Sequence, residues 1–242
     1  MTQGIESKKD KNRGKSPEDE KIFAAKEIER LVKAQEEVSW LLDRKYPLSN
    51  VMTFVGDRYQ FTARQRSAIQ RATCSKIQCE NRESKILCTS ELCKDIIHID
   101  GFNFIITMEV ALSGGTLIRG MDGAIRDLAG LRGNYRIIDK TYKALDLLGK
   151  VIKEEKIPGI CFWVDAPVSN SGRLKSSILE YSKEWGIPVK VEIVPNPDSV
   201  LATLDRIVTS DGIILDECES WFNLSEYIIM KHMAETKIID LR

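Results

Sequence analysis

Three apolar runs in this chain stop on an aspartate: IIHID at Asp100, ICFWVD at Asp165 and IVTSD at Asp211. In an open parallel sheet, ligands settle in the crevice beyond the carboxyl ends of the strands, so acids at three strand ends can meet in one cleft. Carboxylates a few ångströms apart repel and raise one another's pKa unless a cation stands among them. Mg²⁺ or Mn²⁺ suits such a site, because hard cations prefer carboxylate oxygens and keep part of their water shell. His98 and His232 are the only histidines, too few and too scattered for an imidazole site. A fourth acid, Asp198, follows Pro197 ahead of the third run. Alone it reads as a dipole-stabilised helix start. Within PDSVLATLDRIVTSD, however, it is an acid on a helix that feeds a strand ending on another acid.

Two further stretches carry polar chemistry. In APVSNSGRL, after Asp165, residues Ser169, Asn170 and Ser171 precede a helix whose free backbone N–H groups, with Gly172 and Arg173, could take a phosphate oxygen. An ordinary N-cap is the equal alternative. DGAIRD offers Asp122, Arg126 and Asp127 either to the same cleft or to a turn and the exposed face of a helix over 123–131. Neither GxxxxGK[ST] nor GxGxxG occurs. Cys74, Cys79, Cys88 and Cys93 form two pairs with four residues inside each. They could close a structural Zn²⁺ site, against the plainer reading of small packed side chains.

The elements that must position these residues follow from periodicity. Residues 1–15, with KKDKNRGK, are polar and read as a solvated tail. Ser16-Pro17-Glu18-Asp19 marks a helix start, and apolar residues at helical spacing predict one long helix to about Arg44. Thr62 and Gln65 have the spacing of a capping box for a helix through Ala72. That helix carries Arg64, Arg66 and Arg71, with Tyr46, Tyr59 and Phe61 nearby. They could meet RNA phosphates and bases, though a solvated basic face explains them as well. From Ile96 short apolar runs alternate with amphipathic stretches at 140–155, 172–185, 198–204 and 224–232, and TKIID is a last strand. This predicts a helical N-terminal domain over 16–95 that contains the four cysteines. An α/β domain over 96–242 follows it, a three-layer α/β/α arrangement on a mainly parallel sheet.

Thirty-six basic residues balance thirty-six acidic ones, so any binding of nucleic acid must be local rather than driven by net charge. Charges interrupt every apolar run that could span a bilayer, and the N-terminus lacks the apolar stretch of a signal peptide. A cytoplasmic protein without a membrane partner is expected.

The strand ending in IDGFN, the helical acid Asp198 and the strand ending in VTSD together resemble the PIN-like nucleases and their NYN-type relatives. More closely, VGDRYQFTARQR, IDGFNFIIT, DGAIRD and VDAPVSNSGRL together are similar to an uncharacterised prokaryotic family that pairs a small helical domain with a PIN-like one. The resemblance implies that Asp100, Asp198 and Asp211 bind Mg²⁺ or Mn²⁺, with Asp165 as a further ligand or near neighbour; Asn103, next to them in IDGFN, is a candidate substrate contact. It implies metal-dependent cleavage of phosphodiesters, usually in RNA. Many PIN domains carry an additional early acid, for which Glu109, Asp122 and Asp127 are candidates. Two other readings of the same cleft stay open: an RNA- or nucleotide-binding protein that does not cut, and a metal-dependent phosphatase or nucleotide-processing enzyme.

Overall fold

The computed structural model of this chain describes residues 12–131 and 133–242. Residues 1–11 of the expected tail lie outside the described residues. In the rest of that stretch Asn12 and Lys15 are exposed but Arg13 is docked: it packs its guanidinium over the Tyr135 ring, 4.7 Å from the centroid, and pairs with buried Glu109 at 2.9 Å.

Five helices come first: α1 (Asp19–Ile22), α2 (Ala25–Asp43), α3 (Leu48–Arg58), α4 (Ala63–Ala72) and α5 (Lys76–Ser84). The single long helix expected from Ser16 is broken after Ile22. Adjacent residues on a continuous helix point about 100° apart, and the turn lets Ile22 and Phe23 bury side by side. The Thr62–Gln65 capping box forms in full, with the Thr62 hydroxyl accepting from Gln65 N and the Gln65 amide oxygen accepting from Thr62 N. Ser75 and Gln78 repeat the device at the start of α5.

Beyond Ile96 the chain is mixed α/β. A four-stranded, fully parallel sheet is built from β1 (Ile97–Asp100), β4 (Ile160–Asp165), β5 (Val189–Val194) and β6 (Ile207–Val208), in the order β5-β4-β1-β6. Helices α6 (Gly101–Leu112), α7 (Asp139–Glu155), α8 (Ser171–Ser182), α9 (Pro197–Leu201), α10 (Gly212–Glu217) and α11 (Leu224–His232) flank it. Its apolar core runs through Ile97, Ile99, Phe104, Leu148, Phe162 and Ile178.

A second sheet departs from the expected layers. Strands β2 (Leu117–Arg119), β3 (Ile125–Asp127) and β7 (Ile238–Asp240) form it in the order β3-β2-β7. The helix expected over 123–131 is therefore partly strand. Gly123, at φ 77, closes a turn with its N–H on Gly120 O at 2.9 Å, and β3 runs back antiparallel to β2. This sheet shares an apolar cluster with the N-terminal helices, in which Ile118, Leu128, Ile239 and Leu241 pack with Leu31, Val55 and Ile69. Among the described residues no helix is long and apolar enough to cross a membrane.

Candidate active site

Asp100 closes β1 and at the same time opens α6 with no linker between them. Gly101 makes this possible. A Cβ there would stand 2.9 Å from both the Trp163 carbonyl oxygen and the Val164 side chain, so only glycine lets the first turn of α6 lie against β4. Asp100 occupies the N-cap position, yet its side chain accepts no bond from the helix. Its Oδ2 instead accepts from the Thr209 hydroxyl at 2.8 Å. That hydroxyl oxygen also accepts from Asp211 N at 3.1 Å. Thr209, two residues before Asp211 in VTSD, therefore ties the end of β6 to the end of β1.

Asp211 caps α10 conventionally, with Oδ1 accepting from Ile213 N at 2.8 Å. Asp165 is the last residue of β4 and pairs in register with Val194, the last of β5. Asp198 enters two residues into the turn beyond Asn196, on the first turn of α9 behind Pro197. Asn103 Oδ1 accepts from Ser210 N at 2.9 Å and from the Ser210 hydroxyl at 3.0 Å, holding the start of α6 to the chain after β6.

These pieces meet in one cavity of about 170 Å³. Asp100, Asp165, Asp198, Asp211 and Asn103 line it, as do Asp127, Arg71 and the apolar side chains of Phe102, Ile106 and Leu131. Burial, and then the charges of Asp211, Asp198 and Asp165, push the Asp100 carboxyl up to about 7 against the pull of the Thr209 hydrogen bond. Burial also raises Asp165. Asp198 is raised by burial and by the neighbouring Asp211 and Asp165 charges. Among the described residues none of these four carboxylates has an ion pair. Nor are any three acidic, thiol or imidazole groups among those residues drawn together tightly enough to form a ready metal cluster. The acids are spread over the walls of one small cavity.

Of the three candidates for an additional acid, Asp127 is the one that reaches this cavity. It ends β3, and its Oδ1 accepts from Ala129 N at 2.7 Å. Glu109 is fully buried elsewhere, accepting from the Tyr135 hydroxyl at 2.7 Å and from the Thr141 hydroxyl. Asp122 is corrected from substrate contact to internal anchor. It is 1 % exposed and clamped by Arg82 at 2.8 Å and Arg126 at 2.6 Å, which hold its carboxyl below the usual range against the opposing effect of burial.

The APVSNSGRL loop divides its residues. The Ser169 hydroxyl exchanges hydrogen bonds with the Tyr135 backbone at 3.0 and 3.2 Å, so it stabilises a turn instead of facing the acids. Ser171 begins α8, and Arg173 lines a separate cavity of about 720 Å³ with Arg136, Asn170 and Tyr142. Arg64 and Arg66 are also occupied, Arg64 by Asp19 at 2.5 Å and Arg66 by Asp57 at 2.7 Å. Arg71 alone of that helix's three arginines lines the acid cavity. Burial and then the nearby Asp122 charge raise the Cys74 thiol. Cys79 is held at about 11 by burial and then Glu83. Cys88 and Cys93 are exposed.

Fold and site define a mixed α/β protein with a carboxylate cavity at the carboxyl edge of a parallel sheet, preceded by a helical region. The family model described as domain of unknown function DUF5616 matches residues 89–227, and this chain belongs to that family. A second model, described as protein of unknown function DUF434, matches residues 30–85 in the helical region. An uncharacterized protein of Methanocaldococcus jannaschii is 31 % identical over 183 residues, covering 76 % of this chain and 88 % of its own. No solved structure matches the chain significantly.

Proposed function

We propose that this chain is a metal-dependent nuclease that hydrolyses phosphodiester bonds in RNA. The observation that carries the reading is the convergence of Asp100, Asp165 and Asp211, from beyond three strand ends, and of Asp198, from the first turn of α9, on one small cavity with no cation paired to them among the described residues. An all-oxygen donor set of this kind fits Mg²⁺ or Mn²⁺. The four aspartates would hold the ion, with Asp127 beside them. Bound there, it would polarise a phosphoryl oxygen and lower the pKa of a water.

The chain's own side chains do the rest. Thr209 keeps one Asp100 oxygen turned toward β6 and leaves the other for a ligand. Asn103 and Arg71 stand at the edge of the acids, where a phosphate would be oriented. Phe102, Ile106 and Leu131 give the cavity an apolar wall, which limits water and strengthens the electrostatics inside it.

Purified protein with Mn²⁺ is expected to cleave single-stranded RNA. EDTA and Asp100→Asn are each expected to abolish cleavage while the circular dichroism spectrum is unchanged. Cleavage that survives Asp100→Asn would overturn the assignment, and RNA binding without turnover would make the cavity a binding site only.

A further inference from the structure

A second cavity, of about 450 Å³, lies between the helical region and α10, and it joins the acid cavity through three shared residues, Arg71, Asn103 and Asp211. The two shared donors are incompletely used. Arg71 donates through Nη1 to the Asp127 carbonyl at 2.9 Å and pairs through the same nitrogen with the Asp127 carboxylate at 3.5 Å, while its Nε and Nη2 have no acceptor among the described residues. Asn103 has its oxygen taken by Ser210, which leaves both hydrogens of Nδ2 without an acceptor among the same residues. Two sets of N–H donors thus stand where the cavities join, beside acids that cannot ion-pair with an anion. A phosphate, an anion with acceptors only, satisfies such donors.

We propose that the cleft between α4 and α10 is the track of a single strand of nucleic acid, with Arg71 and Asn103 holding the phosphate where that track opens into the acid cavity. The inference rests on the nuclease reading for the role of the acids, but not for binding itself.

The rest of the cleft favours a chain over a free phosphate or a mononucleotide. Arg82 and Arg126 line it with their charge balanced by Asp122 and Asp216, so the floor is less negative than the acid cavity. Leu42, Leu48 and the 69 % exposed Ile213 supply apolar surface, on which bases or sugars can lie. Gln70 offers an exposed amide at the wall. A cleft this confined takes one strand and not a duplex.

The test uses the full chain in EDTA, so that binding is read without cleavage, and fluorescein-labelled 12-mers of single-stranded RNA and DNA in a polarisation assay. Arg71→Gln is expected to raise Kd about tenfold, the loss of a charge-assisted hydrogen bond. It should also flatten the salt dependence of binding by about one phosphate contact. Ile213→Glu, at an exposed position that does not threaten folding, is expected to weaken binding similarly, whereas Lys183→Gln on the far helix α8 is not. The RNA and DNA arms tell whether the sugar is read. Inorganic phosphate and a mononucleotide should compete only weakly. The proposal is overturned if neither oligomer binds, if Ile213→Glu leaves Kd unchanged, or if the mononucleotide competes as well as the 12-mer. Cleavage with unaltered binding in both variants would sink the track alone, and binding that obeys them without metal-dependent cleavage would sink the nuclease reading alone.

Discussion

The Thr209 hydroxyl fixes two acids at once, since it donates to the Asp100 carboxylate and accepts from the Asp211 backbone. Thr209→Val keeps the shape and removes the donor. The Asp100 carboxyl should then rise further, and Mn²⁺ affinity measured by calorimetry should fall about tenfold, a hydrogen bond to a charged group contributing about 1.5–3 kcal/mol. Thr209→Ser should restore both. Asp100 itself sets a pH dependence. Its carboxyl stands at about 7 in the folded chain against an ordinary 3.8, so between these values the folded state keeps a proton that the unfolded state has released. Stability therefore falls as pH rises through that window. The metal-free protein should lose Tm between pH 5 and pH 8, Asp100→Asn should lose less, and Mn²⁺ should restore the loss at pH 8. Metal affinity should run the other way, weakening as pH drops below about 7, because the ion must displace the proton. A Tm that climbs toward pH 8 without metal would refute the burial argument. The acids at strand ends were legible in the sequence because a hydrophobic run that stops on a charge is a local signal. Arg71 was not separable from Arg64 and Arg66, since only the packed structure reveals that Asp19 and Asp57 hold the latter two away from the acid cavity while the partner of Arg71, Asp127, lies on it.

At the scale of elements, the β1–α6 junction carries the site, and it depends on one missing Cβ. Gly101→Ala would push the start of α6 off β4, at a cost of about 1–3 kcal/mol in urea unfolding. It should also weaken Mn²⁺ binding more than its stability loss explains, because Asp100 moves with the helix. A variant with wild-type metal affinity would show that the junction is not critical. Elements of this sheet were readable because each fills a local pattern: β4 is a nearly continuous apolar run, β5 alternates apolar and charged residues, and α7 and α8 are amphipathic. The β2–β3 hairpin was missed because three-residue strands carry almost no periodicity. The Asp122–Gly123 dipeptide was the signal available for its turn, since Asp-Gly favours tight reversal. Ser75 and Gln78 likewise announced α5 by their spacing.

At the scale of the whole molecule, the helical region and the α/β region are joined through contacts that no local pattern announces. Ile118, Ile239 and Leu241 lie far along the chain from the helices whose core they complete. The segment around Arg13 adds a second tie. Its guanidinium, with a side chain 9 % exposed, pairs with a Glu109 carboxylate that is wholly buried, and it donates to the Arg136 carbonyl at 2.7 Å. Burial raises the Glu109 carboxyl, and Arg13 is the main influence pulling it back, followed by the Thr141 and Tyr135 hydroxyls. Removing one partner of a buried pair leaves an uncompensated charge, which costs about 3–5 kcal/mol. Arg13→Ala should therefore lower Tm, and the loss should be larger at pH 8 than at pH 5. Without the cation, Glu109 titrates higher still, so acidification that neutralises this buried carboxyl relieves part of the loss, whereas at pH 8 folding must hold the charge or keep a proton from solvent. Adding Glu109→Gln to Arg13→Ala should recover part of the Tm at pH 8 and little at pH 5. Equal losses at both pH values would mean that Arg13 stabilises the fold through its stacking on Tyr135 and not through the charge of Glu109.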